Sequence, residues 1–209
     1  MSILVILFSV EGNSRMLENK RKLILDGAAS AFSMYGFKGT TMDKVAALAG
    51  VGKGTIYTTF KNKEDLFDAV LQQIISEMEN IFFNCIVPEQ SVSENLHSAL
   101  YELLEFRKDH QVMMKLTNEV RMFGTDHSKR AMDKVEDAII GCLEKQLIAA
   151  LEQDKIYTSN PRIAAFLLYK QYMALVFDYE EKYGPLGKKA IAHLLDQHFM
   201  YALVHNKEM

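Results

Sequence analysis

The residues that could do chemistry on a partner lie between Thr40 and Phe60, in the run TTMDKVAALAGVGKGTIYTTF. Lys53 can neutralise a phosphate, while Thr55, Tyr57 and Thr58 offer hydroxyls to phosphates or base edges. Gly52 and Gly54 let a backbone approach closely. This is the chemistry of binding rather than of turnover. The chain shows no nucleophile–base pair and no phosphate-binding loop, and its histidines include no pair at the one-turn spacing of a helical metal site. No catalytic residue, metal or cofactor is expected.

Two short helices must position that face. Thr40 and Thr41 precede the first apolar residue and Asp43 follows Thr40 by three, the pattern of a capping box. Val45, Ala46, Leu48 and Ala49 then supply the buried side of one helix, which Gly50 ends. A second helix is expected over Lys53–Thr59, with Ile56 and Phe60 inward and Lys53, Thr55, Tyr57 and Thr58 outward. Two short helices joined by a glycine-bearing turn form a helix-turn-helix, whose second helix fits the major groove of DNA. On these residues alone, a merely solvated face remains open.

The flanks add to the pattern. Ile24, Ala28, Ala31, Phe32 and Tyr35 keep helical spacing up to Gly36, and Lys63-Glu64-Asp65-Leu66 opens a further helix after the turn at Lys61-Asn62. From Ile24 to Leu66 the chain resembles the DNA-binding domain of the TetR family of bacterial transcription regulators. The matching residues are Ile24-Leu25-Asp26, Ala28, Phe32, Tyr35-Gly36-Phe37, Thr40-Thr41, Ala46, Ala49-Gly50-Val51, Lys53-Gly54-Thr55-Ile56-Tyr57, Phe60 and Lys63-Glu64-Asp65-Leu66. The resemblance covers roughly a quarter of the chain and implies DNA contacts from Thr40, Thr41, Gly52, Lys53, Gly54, Thr55, Tyr57, Thr58 and Lys63.

Length and composition fit an all-α regulator. The 209 residues include only three prolines, with 49% hydrophobic and 24% charged residues, as in ordinary globular chains. The net charge of −3 hides a split, because Leu17–Leu66 carries eight Lys/Arg against five Asp/Glu and the residues after it fifteen against twenty-one. A basic head on an acidic body suits a protein that touches DNA with one end. Cys85 and Cys142 stand alone, which reads as reduced thiols in a cytoplasmic protein, with redox sensing as the minor alternative.

The expected architecture has about nine helices: an extension over 1–16, a three-helix DNA-binding head over 17–63 and a regulatory and dimerisation body over 64–209. MSILVILFSV is too short to span a bilayer and lacks the charged start of a signal peptide. Met16 is therefore expected to be the natural start, with an apolar arm packed on the body as the competing reading. The first helix is expected over Leu17–Tyr35 and a long helix from Lys63 to about Asn84. Ser91-x-x-Glu94 reads as a capping box and Asn160-Pro161 as another helix start, while Gly184-Pro185 closes a helix.

The last two helices carry more apolar residues than one core face needs. Phe166, Met173, Phe177, Ile191, Leu195 and Phe199 are read as a homodimer interface, in keeping with the four-helix bundle that the resemblance implies. Two heads on a palindromic operator also require a dimer. Phe106, Met113, Met114, Asn118, Met122, Phe123, Tyr169 and Tyr172 are candidates for the pocket of a small-molecule effector, against plain core packing. The expected function is a DNA-binding repressor released by a small apolar or amphipathic ligand. The alternatives are control by a protein partner, no inducer at all, or an all-helical enzyme.

Overall fold

The computed structural model describes residues 3–110, 112, 113, 115, 119 and 126–205, with side chains from Leu17 onward except those of 109, 127, 128 and 205. The described residues are helical and contain no strand. The chain forms two compact units, one of residues 1–74 with 110–132 and the other of 75–109 with 133–209.

The first unit begins with α1 (Ile3–Gly39). It starts well before the expected Leu17 and continues past Tyr35 across a break at Gly36, whose φ of 70° and ψ of 178° leave the helical region. Its inward stripe is Ile24, Ala28, Ala31 and Phe32, all essentially buried. Tyr35, expected in that stripe, is instead exposed and carries the Lys44 ammonium 4.1 Å from its ring centre. The break at Gly36 ends the stripe one turn early.

Next come α2 (Met42–Ala49) and α3 (Lys53–Thr59). Gly50 closes α2 at φ 65°, as expected from its position. The buried side of α2 is Met42, Val45 and Ala46, and Leu48 turns to solvent instead. A Cβ on Gly27 of α1 would fall 2.6 Å from the Ala49 Cβ, so only glycine lets these two helices approach so closely. α4 (Lys63–Asn84) follows, and its first-unit residues Leu66, Phe67, Val70, Leu71 and Ile74 are buried. Phe67 meets Phe32 edge-on at 4.8 Å and Phe37 at 5.0 Å. These aromatic contacts, worth about 0.5–1.5 kcal/mol each beyond area burial, fix α1 to α4.

In the second unit, α5 (Val92–Asp109) starts with the expected capping box: the Ser91 hydroxyl accepts from the Glu94 N–H at 3.2 Å, and the Glu94 carboxylate accepts from the Ser91 N–H at 2.9 Å. The Ser91 N–H, and the Ser91 hydroxyl donating to the same carboxylate at 2.8 Å, hold the Glu94 carboxyl below its ordinary pKa. α6 (Asp126–Glu152) begins in the first unit's 110–132 segment and continues through the second. α7 (Pro161–Met173) has Asn160 as its N-cap, the side chain accepting from the Ile163 N–H at 3.0 Å. It runs into a π-helical stretch, Ala174–Tyr179, and then α8 (Glu180–Tyr183), which Gly184 closes at φ 92°. The chain ends with α9 (Lys188–Leu195), a second π-helical stretch over Asp196–Met200, and α10 (Tyr201–His205).

Gly36 supplies the test of this fold. Its φ/ψ lies in a region almost confined to glycine, and a Cβ there would run into the Glu119 carboxylate. Gly36→Ala is expected to lower stability by about 1–3 kcal/mol, read from urea denaturation curves at constant m-value.

Candidate nucleic-acid interface

The site is built outward from the end of α1. The last carbonyls of a helix lack intrahelical partners. Thr40 supplies one: its hydroxyl donates to the Gly36 carbonyl at 2.6 Å and lies 3.1 Å from that of Ala31. Thr40 is 1% exposed. It is therefore not part of the outward face, and the expectation that it contacts DNA is corrected. The capping register also moves by one residue. Thr41 is the N-cap of α2, its hydroxyl accepting from the Lys44 N–H at 3.3 Å. Asp43 is left to pair with Lys53 at 2.7 Å.

That ion pair ties α2 to the first residue of α3. Both side chains are well exposed, and the Asp43 carboxylate, by hydrogen bond and charge, raises the Lys53 pKa. The body of α3 is pinned from below, with Ile56 fully buried and Phe60 nearly so. The Arg21 guanidinium lies 4.9 Å from the Phe60 ring centre. On the opposite side Gly52, Lys53, Gly54, Tyr57 and Thr58 are exposed and Thr55 is half-buried. The Thr58 hydroxyl donates to the Thr55 carbonyl at 2.8 Å.

Lys63, at the start of α4, is held rather than loose. Its ammonium donates to the Phe37 carbonyl at 2.9 Å and sits 4.3 Å from the centre of the Phe37 ring. Lys44 behaves alike, donating to the Gly39 carbonyl at 2.8 Å. Sequence reasoning missed Lys44 and Asp43 as organisers of this surface, because their partners are backbone atoms or residues on another helix. The Lys38 N–H also donates to the Glu119 carboxylate at 3.4 Å, which links the α1–α2 turn to the 110–132 segment.

The other predicted sites divide in the same way. Of the effector-pocket candidates, Met113 is buried in the first unit, whereas Phe106, Tyr169 and Tyr172 belong to the second. Met114, Asn118, Met122 and Phe123 lie outside the described residues. Burial pushes the Tyr169 phenol up to about 12, so it stays un-ionised. Of the interface candidates, Ile191 and Leu195 are buried within their own unit and are corrected to core residues, because the inward stripe of α9 falls on them. Phe166 is exposed, alongside Ile163 and Leu167, while Met173, Phe177 and Phe199 are half-buried. Burial pushes the Cys142 thiol up to about 11, which opposes thiolate chemistry there.

Two helices locked across a glycine turn, the second with cation and hydroxyls facing solvent, define a helix-turn-helix DNA-binding head. The family model of bacterial regulatory proteins of the TetR family matches residues 24–70. The HTH-type transcriptional regulator YhgD of Bacillus subtilis is 39% identical over 188 residues, spanning 90% of this chain and 98% of the relative. Among solved structures, SmeT, the repressor of the Stenotrophomonas maltophilia multidrug efflux pump SmeDEF, superposes with a TM-score of 0.62 at 18% identity, over 90% of this chain and 91% of that one. A SmeT–triclosan complex gives 0.65 at 18% identity, over 90% and 93%. At such identity the likeness to SmeT is one of fold. The chain belongs to the TetR family and is a DNA-binding transcriptional regulator.

Among the described residues no helix is long and apolar enough to cross a membrane, and no group of three His, Cys, Asp or Glu could hold a metal ion. The contrast between Thr40 and Tyr57 is testable. Thr40→Val strips the buried Gly36 carbonyl of its donor and should cost about 1–3 kcal/mol. Tyr57→Ala, at a half-exposed position, should leave stability within about 0.5 kcal/mol of wild type. Thermal unfolding followed by circular dichroism separates the two.

Proposed function

We propose that the protein is a homodimeric repressor that holds a palindromic operator with two α3 helices and is released by a small apolar or amphipathic effector. The observation that carries this reading is the exposed face of α3, with Lys53, Tyr57 and Thr58 outward above buried Ile56 and Phe60. Thr41, Gly52, Lys53, Gly54, Thr55, Tyr57, Thr58 and Lys63 are the DNA contacts in this reading. Lys53 and Lys63 serve phosphates, and Thr55 reads base edges. SmeT, of the same fold, is a repressor and has been solved with triclosan, which supports small-molecule release.

Dimerisation is supported by α7, which has two apolar faces. Ala164, Ala165, Leu168 and Tyr172 are buried, while Ile163, Phe166 and Leu167 stand exposed at 56%, 43% and 51% on the other side. An exposed apolar stripe of that kind is the mark of an interface. Phe166, Met173, Phe177 and Phe199 are the contacts this reading retains. Two operator half-sites roughly 34–36 Å apart would receive the paired heads. The effector is assigned to the second unit, where Phe106, Tyr169 and Tyr172 provide aromatic surface. Its binding would favour a spacing of the heads that no longer matches successive major grooves.

The DNA reading is tested by titrating the protein onto DNA from upstream of its own gene, beside a scrambled duplex at one near-physiological salt concentration. Saturable binding to the native fragment alone is expected; equal, weak binding to both would count against it. Tyr57→Ala and Lys53→Ala should weaken binding across sequences, and Thr55→Ala should also relax preference at one base pair by about 1–3 kcal/mol. For the dimer, Phe166→Glu is expected to shift sedimentation toward the monomer at micromolar concentration. An unchanged sedimentation coefficient would place the interface elsewhere.

A further inference from the structure

The second unit buries two polar side chains that no described residue satisfies. His97 on α5 is 7% exposed and Tyr172 on α7 is fully buried. Among the described residues, neither ring nitrogen of His97 and not the hydroxyl of Tyr172 has a hydrogen-bond partner. The two rings are neighbours, with centroids 6.0 Å apart, and Tyr101, one turn beyond His97 on α5, flanks the imidazole at 6.2 Å. α9 packs against both α5 and α7. Around them the interior of the unit is apolar, with Leu96, Leu100, Leu103, Leu168, Ile191 and Leu195 all buried.

Leaving such groups without partners is costly, so natural cores rarely do it outside functional sites. Plain packing would have been served better by Phe at both positions. We propose that His97 and Tyr172 form the polar end of the effector site, and that the effector is a mainly apolar molecule with one uncharged head that both donates and accepts hydrogen bonds, as a phenol, alcohol or amide does. This rests on the reading of the second unit as an effector-binding body.

The uncharged head follows from the chemistry of the pair. Burial and the Lys188 charge lower the His97 pKa, so the imidazole is neutral and offers one donor and one acceptor. Burial, Tyr101 and the Glu105 charge raise the Tyr172 pKa, so the phenol keeps its proton. The nearby charges pull in opposite directions. The Lys188 ammonium lies 3.9 Å from the Tyr101 ring centre, and the Glu105 carboxylate pairs with Lys108 at 2.8 Å. An anionic head would gain from Lys188 and lose to Glu105 and to its own desolvation, with no buried cation among the described residues to meet it. A head matched to neutral donors and acceptors carries none of that cost.

The chain has no tryptophan, so a fluorescent aromatic probe can be followed without that background. The probes are 1-naphthol, uncharged near pH 7 with one hydroxyl, naphthalene, which lacks the head, and 1-naphthoate, which is charged. Each is titrated onto the DNA-free, full-length protein. Saturable binding of 1-naphthol, at least about tenfold tighter than naphthalene or naphthoate, is expected. Tyr172→Phe and His97→Phe, both near in shape to the native residues, should each weaken naphthol by about five- to tenfold and leave naphthalene unchanged.

Circular dichroism confirms that each variant is folded, and either variant alone decides the point. Unchanged naphthol affinity in a folded variant would overturn the proposal, as it would if resident water satisfied the pair. So would naphthoate binding tightest, or no saturable binding of naphthol. Release of operator DNA by naphthol is measured separately. Variant-sensitive binding without release would uphold the site and sink the repressor-release reading, and release that persists in both variants would do the reverse.

Discussion

One hydroxyl holds the DNA-binding head in register. Thr40 donates to the Gly36 carbonyl from within the core, at the point where α1 runs out of its own donors. That bond lets Gly36 leave the helix and deliver Phe37 to the cluster with Phe32 and Phe67. The same turn presents the Phe37 carbonyl to Lys63 at the start of α4 and places Thr41 to cap α2. Three helices are thus oriented from six residues of backbone. The position of α3 is set second-hand, through α2 and the Asp43–Lys53 pair, and through Ile56 and Phe60 beneath it.

Lys44, Lys53 and Lys63 are already engaged, so in the proposed complex DNA would exchange partners with them. Magnitudes decide whether that matters. Lys53 and Asp43 are exposed, and such pairs are worth about 0–1 kcal/mol, less in salt. A phosphate can displace the carboxylate at little cost. Lys63 gives one of its three donors to a neutral carbonyl and keeps its charge, so the Phe37 contact aims it rather than cancels it. Pre-ordered cations lose less side-chain entropy on binding than loose ones would.

Local chemistry was largely legible in the sequence, and tertiary environment was not. Ser91-x-x-Glu94, Asn160-Pro161, Gly50 and Gly184 all act where their residue types place them, because caps and turns are decided within a few residues. The long helix expected from Lys63 to about Asn84 forms with those bounds, and Leu66, Phe67, Val70, Leu71, Ile74, Ile75 and Met78 are buried in it at helical spacing. Thr40 and Thr41 were harder. Either can cap a helix, and only the end of α1 decides that Thr40 turns inward. Leu48 and Tyr35 look like core by type, but α2 is too short and α1 breaks too early to bury them. Gly27 gave no signal at all, since its role is the room it leaves for Ala49. His97, one of six histidines with no partner at one-turn spacing, carries no signal in the sequence. Its significance comes from Tyr172, which is 75 positions away in the chain.

α7 is where the two roles proposed for the second unit, effector binding and dimer contact, would meet. Its inner face carries Tyr172, and its outer face carries Ile163, Phe166 and Leu167. A helix of 3.6 residues per turn cannot keep both faces apolar for long without exposing one or crowding the other. The π-helical stretch over Ala174–Tyr179 changes the register at that point, since a wider turn rotates the residues beyond it relative to those before. Leu175, Val176 and Phe177 are accordingly half-buried, belonging fully to neither face. A group seated against Tyr172 and a second subunit seated against Phe166 would bear on the same rigid rod from opposite sides. Rotation of α7 by a few degrees in response to the first would then be felt directly by the second, without any longer chain of contacts.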